Sequence, residues 1–429
     1  MKRPVVIILL VVMLLLVLAG ISAVVFFTIN SGGSFTFDQN QVSATAEESK
    51  SLKVNGPVTL KVDDDAGSVT VVGGDVEKVE VKMVKTDYAP TQSQARENLK
   101  DIKYEIQQLG NKITLLYKPG NIRTTHINTV DFIVTVPTET TVNIETNLGE
   151  VSVSGTKGNV EIRNDFGSVT IENIEGALAV KNNSGKVKVT DIKSGSADID
   201  LHSDFGEITL AQASGGNITL DSNSGSIGLD NVRATGELVI KTDFGDTKYE
   251  SGSANSLNMD TNGGKVSLLN LKITKELKVD DDFGDIELNQ ASAGSYDLHT
   301  NGGSITVDGV KNKLKAYTDF GNITIRNAQT VTLDLKTNGG KVQFSGSLGK
   351  GPHSVKSDFG EVTMALPADS KLNVDLKTDF GGISSDIPLT VTLDGSADKN
   401  HQVGTMNDGG DQLTVKTNGG SISIEALGK

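Results

Sequence analysis

Residues 240–264, IKTDFGDTKYESGSANSLNMDTNGG, contain both versions of the motif that organises this chain. One run of alternating apolar and polar residues enters Asp243-Phe244-Gly245, another leaves it, and a third ends in Asn262-Gly263-Gly264. Alternation with a period of two is typical of a β-strand, and Asp, Asn and Gly are typical of tight turns. The stretch therefore predicts strand, turn, strand and connection within about 19 residues.

The same motif recurs along most of the chain. The Asp-Phe-Gly turns are Asp165-Phe166-Gly167, Asp204-Phe205-Gly206, Asp243-Phe244-Gly245, Asp282-Phe283-Gly284, Asp319-Phe320-Gly321, Asp358-Phe359-Gly360 and Asp379-Phe380-Gly381, and Asn-Ser-Gly or Asn-Gly-Gly turns lie between most of them. A unit this short cannot bury its apolar face alone, so successive units must stack. We predict an all-β fold, a β-solenoid of ~19-residue coils stacked at roughly 4.8 Å. A β-propeller is the alternative, but the Trp-Asp and kelch signatures of such blades are absent.

The alternation of the two turn types predicts how the side chains stack. If the strand parity continues through the turn, Ile240, Thr242 and Phe244 share one face, which places each Phe in the core beside a Gly or Ser of the next coil. The alternative is an outward-facing column of Phe rings that stacks on sugars. Beside the Phe column, Asp alternates with neutral Asn, which separates the carboxylates by about two coils and weakens their repulsion.

The pattern changes near the carboxyl end of the repeats. Two Asp-Phe-Gly turns follow one another at Phe359 and Phe380, and residues 382–411 contain Pro388 and an irregular loop. We predict that residues 413–427 form a C-terminal capping coil within a solenoid domain at 138–429.

Residues 51–137 form a β segment of their own in this interpretation. Thr91–Asp101 follows a proline and is rich in helix formers, which predicts one short helix. Ile102–Gln107 and Lys112–Tyr117 flank a Leu-Gly-Asn turn, which predicts a hairpin. Residues 31–50 are polar and rich in Gly, Ser and Gln, and we expect a flexible linker there.

Residues 1–30 predict a cytoplasmic stub and a transmembrane signal anchor. The run from Val5 to Ile29 has no charge and is longer than the roughly 20 residues that cross a bilayer. Lys2 and Arg3 precede it, so the amino terminus is expected in the cytoplasm and the C-terminal domain on the extracellular or periplasmic side of the cell membrane. A cleaved signal peptide, with Ser22-Ala23 as the processing site, is the alternative.

The composition of the chain argues against several classes of function. The 429 residues carry a net charge of −14, which argues against nucleic-acid binding. Cysteine is absent, so disulfides, thiolate metal sites and cysteine nucleophiles are excluded. Asp-Phe-Gly also occurs in protein kinases, but the accompanying Gly-rich loop, strand Lys and His-Arg-Asp loop are missing. The uniform repeat argues against an enzyme, and a β-helix polysaccharide lyase or hydrolase remains only a minor alternative.

No cofactor is expected, with calcium as the one cation to consider. Calcium prefers clustered oxygen ligands, and two acidic turns supply them: Asp63, Asp64 and Asp65, and Asp280, Asp281 and Asp282. Solvated turns are the simpler interpretation. His202 and His299 occupy the same column five coils apart, too far to share a proton or a metal, whereas His401 and Asp398 lie together in the irregular loop.

The chain resembles the bacterial putative-adhesin family, a membrane-anchored β-strand repeat domain of unknown function. The resemblance rests on the entry at 134–155 (VTVPTETTVNIETNLGEVSVSG), the recurring Thr/Ser-Asp/Asn-x-Gly-x-Val/Ile turn and the closing turn at 416–422 (KTNGGSI), and it covers residues 50–429. It implies a non-catalytic, cell-surface binding protein that presents an acidic β-solenoid to a polymer, glycan or protein ligand. A regulatory ectodomain of an envelope-stress system, scaffolding a membrane partner, is the alternative.

Overall fold

A computed structural model describes residues 41–119, 128–391 and 399–428 of the chain. These residues form a β-solenoid with a single short helix, α1 (Gln92–Asn98). The strands are β1 (Val42–Lys53), β2 (Val58–Asp64), β3 (Val69–Gly74), β4 (Lys78–Ala89), β5 (Glu105–Leu109), β6 (Lys112–Tyr117), β7 (Asn128–Pro137), β8 (Thr140–Leu148), β9 (Val151–Ser154), β10 (Val160–Phe166), β11 (Val169–Ile174), β12 (Leu178–Ser184), β13 (Val187–Lys193), β14 (Ile199–Phe205), β15 (Ile208–Gly215), β16 (Ile218–Ser224), β17 (Ile227–Asp230), β18 (Arg233–Ala234), β19 (Glu237–Phe244), β20 (Thr247–Ala254), β21 (Ser256–Thr261), β22 (Val266–Ile273), β23 (Glu276–Asp281), β24 (Ile286–Asn289), β25 (Ser295–Thr300), β26 (Ile305–Asp308), β27 (Lys311–Thr318), β28 (Ile323–Thr337), β29 (Val342–Leu348), β30 (His353–Ser357), β31 (Val362–Leu366), β32 (Leu372–Thr378), β33 (Ile383–Ser385), β34 (Leu389–Val391), β35 (His401–Met406), β36 (Asp411–Thr417) and β37 (Ile422–Ala426).

Each coil gives one strand to each of two parallel ladders. The front ladder runs β6–β2–β8–β10–β12–β14–β16–β19–β21–β23–β25–β27–β28–β30–β36–β32, and the back ladder runs β7–β3–β9–β11–β13–β15–β17–β20–β22–β24–β26–β28–β29–β31–β37–β33. The long strand β28 belongs to both ladders. This pairing confirms the predicted β-solenoid.

Alternating burial makes the two ladders face each other across one core. In β10, Val160 and Ile162 point inward and are about 1% exposed, and in β11 Val169 and Ile171 do the same. Fully burying an aliphatic side chain contributes about 1.5–3 kcal/mol, and each coil repeats the contribution. The core is therefore a continuous aliphatic column that no coil could form alone.

The N-terminal segment is continuous with the solenoid. β2 pairs in parallel with β8, and β3 with β9, so the ladders cross the predicted division at residue 137 without interruption. The predicted helix is confirmed in a shorter form, with Thr91 as its N-cap, and the predicted hairpin is formed by β5 and β6. Residues 42–50 were expected in a flexible linker, but they belong to β1, which pairs antiparallel with β4.

The predicted capping coil at the C-terminal end is wrong. β36 pairs with β30 on one side and with β32 on the other, so the coil at 411–426 lies between two coils that precede it in sequence. The end of the front ladder is instead covered by β35, which pairs antiparallel with β32 and β34. Sequence order suggested a cap because it gives no information about which coil is the spatial neighbour.

A column of turn glycines keeps the coils in register. A Cβ on Gly264 would lie less than 3.0 Å from the carbonyl oxygen of Gly245, and Gly303 has the same relation to Gly284. The column continues to the end of the solenoid, where Gly420 lies against Gly360 and Gly381 lies against Gly420. Only glycine permits this approach between successive backbones.

Among the described residues, no helix is long and apolar enough to cross a membrane. The run from Val5 to Ile29 lies outside the described part of the chain, so the predicted anchor stays a prediction.

Candidate functional site

The turns that join front strands to back strands form one long edge of the solenoid. We call it the phenylalanine edge, after Phe166, Phe205, Phe244, Phe283, Phe320, Phe359 and Phe380. The predicted alternation with small residues is confirmed, since Phe205 is in register with Ser184 and Ser224. Every second coil therefore presents a ring, and the coil between presents Ser or Gly.

The prediction that these rings lie in the core is wrong. Their exposure rises from 39% at Phe166 to 88% at Phe380. The alternation of burial stops at the end of β19: Thr242 is buried, but Asp243 and Phe244, the last two residues before the bend at Gly245, are both exposed. The rings face outward, as the alternative prediction had them.

Buried hydroxyls hold this turn in shape in the later coils. Oγ1 of Thr337 donates a hydrogen bond to the carbonyl of Gly321 at 2.9 Å and accepts one from the Gly340 amide at 3.0 Å. The same pair of bonds is made by Thr300, Thr318, Ser357, Thr417 and Thr378. Each hydroxyl ties its own turn to a glycine of the adjacent coil, and Thr318, Ser357 and Thr378 do so in turns that carry a Phe.

The Asp and Asn residues beside the rings form hydrogen-bonded pairs. In each pair the Asn Nδ2 donates to the Asp Oδ1 of the preceding coil at 2.6–2.9 Å: Asn183 to Asp165, Asn223 to Asp204, Asn262 to Asp243, Asn301 to Asp282 and Asn338 to Asp319. We call this the Asp/Asn column. It orders the carboxylates in addition to separating them, and it leaves the ring-lined edge rich in hydrogen-bond acceptors.

Ion pairs flank the rings on the other side. Lys186 lies 2.9 Å from Glu207, and Lys341 lies 2.8 Å from Glu361. The hydrogen bond from Lys186 lowers the pKa of the Glu207 carboxyl. All four side chains are about half exposed or more, so each pair contributes little to stability.

Comparison with known protein families identifies the family of the chain. A model described as Toastrack DUF4097 matches residues 35–247, 176–308 and 254–425. The chain belongs to the Toastrack DUF4097 family. No curated protein matches it by sequence.

Two solved structures resemble this Toastrack chain weakly. A putative cell adhesion protein from Clostridium sporogenes ATCC 15579 is 11% identical, with 89% of this chain and 100% of that chain covered and a TM-score of 0.16. A putative adhesin from Bacteroides fragilis NCTC 9343 is also 11% identical, with 88% and 97% covered and a TM-score of 0.19.

The Toastrack turns do not bring the calcium candidates together. At the first triplet, Asp63 and Asp65 point outward to Lys118 at 3.1 and 3.3 Å, whereas Asp64 is buried. The second triplet repeats this arrangement: Asp280 meets His299, Asp282 accepts from Asn301, and Asp281 is buried. In the described ranges, no group of three or more His, Asp or Glu side chains is arranged to hold a metal ion.

Asp64 is a buried carboxyl in the first acidic turn. Its Oδ1 accepts from the Ala66 amide, and Oδ2 is buried without a hydrogen-bond partner. Burial raises the pKa of Asp64 to about 8. This group lies inside the turn that precedes the first coil of the phenylalanine edge, so it affects stability and does not face a ligand.

His202 in β14 and His299 in β25 lie five coils apart in the front ladder, as predicted. His202 pairs with Asp204, His299 with Asp280, and His401 with Asp375. Asp398 lies outside the described residues, so the predicted proximity to His401 stays a prediction. His353 is buried, and burial lowers its pKa.

Sequence reasoning missed the second corner of each coil. One residue in the last part of each back strand, or just after the strand, adopts positive φ, for example +54° at Asn173 in β11 and +52° at Asn231 after β17. The corner recurs at Gly155, Asp191, Gln212, Ser251, Asn270, Gln290, Gly309 and Asn327. Asn, Asp and Gly adopt positive φ most readily, so their recurrence at this position could have predicted the corner. Gln and Ser at three of the positions obscured the pattern.

Proposed function

We propose that this Toastrack protein is a non-catalytic, adhesin-like binding protein that holds a surface polymer along its phenylalanine edge. The observation that carries the proposal is the regular exposure of seven Phe side chains on one edge. Exposed apolar residues that form an ordered surface, rather than scattered single sites, mark interaction surfaces. The glycine column and the buried hydroxyls hold the backbone of the turns in the conformation from which these rings are exposed.

The repeat supports binding rather than catalysis. A catalytic centre needs a small number of distinct groups whose environments differ from one another. The phenylalanine edge instead repeats the same ring, carboxylate and amide from coil to coil. Such repetition suits a partner that is itself repetitive and that makes many weak, equivalent contacts.

A membrane location is part of the proposal. The uncharged run from Val5 to Ile29 after Lys2 and Arg3 supports a signal anchor with the solenoid outside the cytoplasm. The solenoid would then project from the membrane and present the edge to polymers at the cell surface.

The test is a binding survey with the full chain in a mild detergent. The chain is immobilised and exposed to cellulose, chitin, peptidoglycan, acidic polysaccharides and extracellular-matrix proteins, with calcium or with a chelator. Saturable binding to one polymer class is expected. If the folded chain binds none of them and instead co-purifies with one membrane protein, the adhesin-like proposal is refuted and the regulatory ectodomain takes its place.

A further inference from the structure

The spacing of the rings restricts what the edge can hold. From Phe244 to Phe380 a ring occurs on every second coil, which separates neighbouring rings by about 9–10 Å over a total of about 38 Å. This includes the end of the solenoid, because Gly419 of the coil at 411–426 lies between Phe359 and Phe380. The rings form a row of separate apolar side chains that recurs on every second coil.

The coils between the rings leave room for an occupant. They present Gly263, Gly302, Gly339 and Gly419, and a Cβ on Gly302 would lie 3.3 Å from Cδ1 of Phe283. A Cβ on Gly419 would similarly lie 3.5 Å from Cδ1 of Phe359. The rings of Phe283, Phe320 and Phe359 therefore lie beside the glycine of the adjacent coil, whereas the space above Gly263 is open. The exposure of 66% or more from Phe244 onward shows that nothing in the described chain covers these faces.

The polar groups beside the rings favour a ligand rich in donors. The Asp/Asn column offers carboxylate oxygens, and each Asn amide in it already donates to its Asp. A polymer of hydroxyl groups can donate to these oxygens while its apolar face rests on a ring. The carboxylates also repel polyanions, so the expected ligand is neutral or carries amino groups.

Two other occupants fit less well. A polyproline II peptide repeats every three residues, or about 9.3 Å, which matches the ring spacing, but it offers carbonyl acceptors and few donors. A second copy of the chain would bring two columns of carboxylates together, with like charges opposed. Contiguous protein interfaces also bury a central apolar patch rather than a line of separated rings.

We propose that the edge from Phe244 to Phe380 binds one extended chain of β-linked hexopyranoses, with one sugar face on each ring and a repeat of two sugars for every two coils. This inference rests on the proposed function and specifies its ligand. Because a disaccharide of such a chain has about the length of two coils, successive equivalent sugar faces meet successive rings. A longer oligosaccharide gains one ring contact with every two sugars.

The experiment measures the affinity of the full chain for cello- and chito-oligosaccharides of two to eight sugars. The dissociation constant is expected to fall stepwise with every two sugars, and polygalacturonate is expected to bind much more weakly. Phe283→Ala is expected to weaken the longest ligand about five- to tenfold, whereas Phe283→Tyr retains the ring and binds like the parent. Leu109→Ala removes an apolar side chain that is 83% exposed at the end of β5, outside the phenylalanine edge, and serves as the unaffected control.

A register exchange provides the sharpest test. Phe283→Gly combined with Gly302→Phe keeps the composition and the number of rings, but moves one ring by one coil. Gly302 does not have a positive φ, and its nearest neighbour is the ring that the exchange removes, so the fold accommodates the change. Unchanged melting temperatures in all variants establish that the fold is retained.

The outcomes separate this proposal from the general one. We expect the register exchange to weaken binding as much as Phe283→Ala. If it binds like the parent, or if Phe283→Ala has no effect while polymers still bind, the edge is not the glycan site although the binding function stands. If a polyproline peptide binds and the oligosaccharides do not, the ligand is a polypeptide and the inference is overturned. If nothing in the survey binds, both proposals fail.

Discussion

The replacement of Gly264 by alanine tests whether the close approach of turn backbones holds the coils together. Gly264 has a φ of +113°, and a Cβ there would lie 2.6 Å from the carbonyl carbon of Gly245 and still closer to its oxygen. Its neighbour Gly263 has nothing within 4 Å of the position that a Cβ would take. The two substitutions add the same methyl group to adjacent residues of one turn.

The size of the effect follows from this geometry. Carbon atoms pack at about 3.5–4.0 Å, so the Gly245 carbonyl would have to move by about 1 Å against a coil spacing of about 4.8 Å. Overpacking of this kind costs about 1–3 kcal/mol, and the left-handed backbone adds about 1–2 kcal/mol. We expect Gly264→Ala to lower the free energy of unfolding by about 2–5 kcal/mol. Gly263→Ala should change it by less than about 1 kcal/mol, with a stabilising sign if the unfolded chain loses entropy.

The measurement is thermal unfolding of both variants and the parent, followed by hydrogen exchange. Since repeat arrays can unfold in sections, the exchange data locate the loss of stability at the coils around Gly245 and Gly264. If the two variants have the same melting temperature and the same local protection, contact between successive turn carbonyls does not fix the register, and our account of the glycine column is wrong.

Three further predictions concern the buried turn groups and the coil order. Thr337→Val removes two hydrogen bonds and leaves a buried carbonyl and amide unpaired, so chemical denaturation should show a loss of about 1–3 kcal/mol, whereas Thr242→Val, whose hydroxyl has no partner, should be neutral; equal losses would contradict this. Because the pKa of Asp64 is raised to about 8, the folded chain keeps a proton that the unfolded chain loses above about pH 4, so the melting temperature should fall from pH 5 to pH 9, and Asp64→Asn should reduce that fall; an identical pH profile would refute the assignment. Cysteines at Lys356 and Lys416, which are Cα partners, should form a disulfide on oxidation, whereas a pair joining Lys356 to the equivalent lysine of β32, two coils away, should not; the reverse result, read by non-reducing electrophoresis, would contradict the coil order.

Much of the fold was predictable because its information is local and repeated. The period of two, the turn residues and the unit of about 19 residues specify strands, corners and stacking without long-range knowledge. The alternation of Asp243 with Asn262 was also readable as a way to separate charges. The structure adds the hydrogen bond between them, which depends on the exact height of successive coils.

The candidate site was harder to predict because it depends on where a strand ends. Parity placed Phe244 on the same face as Thr242, but in the structure the alternation of buried and exposed residues stops after Thr242, in the last two residues of β19. The coil order at the C-terminal end was hard to predict for a different reason. β36 pairs with β30, a strand that is distant in sequence, so local patterns do not specify the pairing. The two successive Asp-Phe-Gly turns at Phe359 and Phe380 were the one sign that a coil is missing between them.

The inverted order of the last coils makes folding depend on the direction of synthesis. β32 leaves the ribosome before β36, yet its place in the ladder lies beyond β36. Direct pairing of β32 with β30 would put Phe359 and Phe380, and their two aspartates, on adjacent coils without the intervening glycine and asparagine. The alternating pattern therefore disfavours the premature pairing. The edge of β30 stays unpaired while the 60 residues after Ser357, up to Thr417, are synthesised. At about 5–20 residues per second the delay is about 3–12 s, during which a nascent chain exposes an unpaired parallel strand to its neighbours on a polysome.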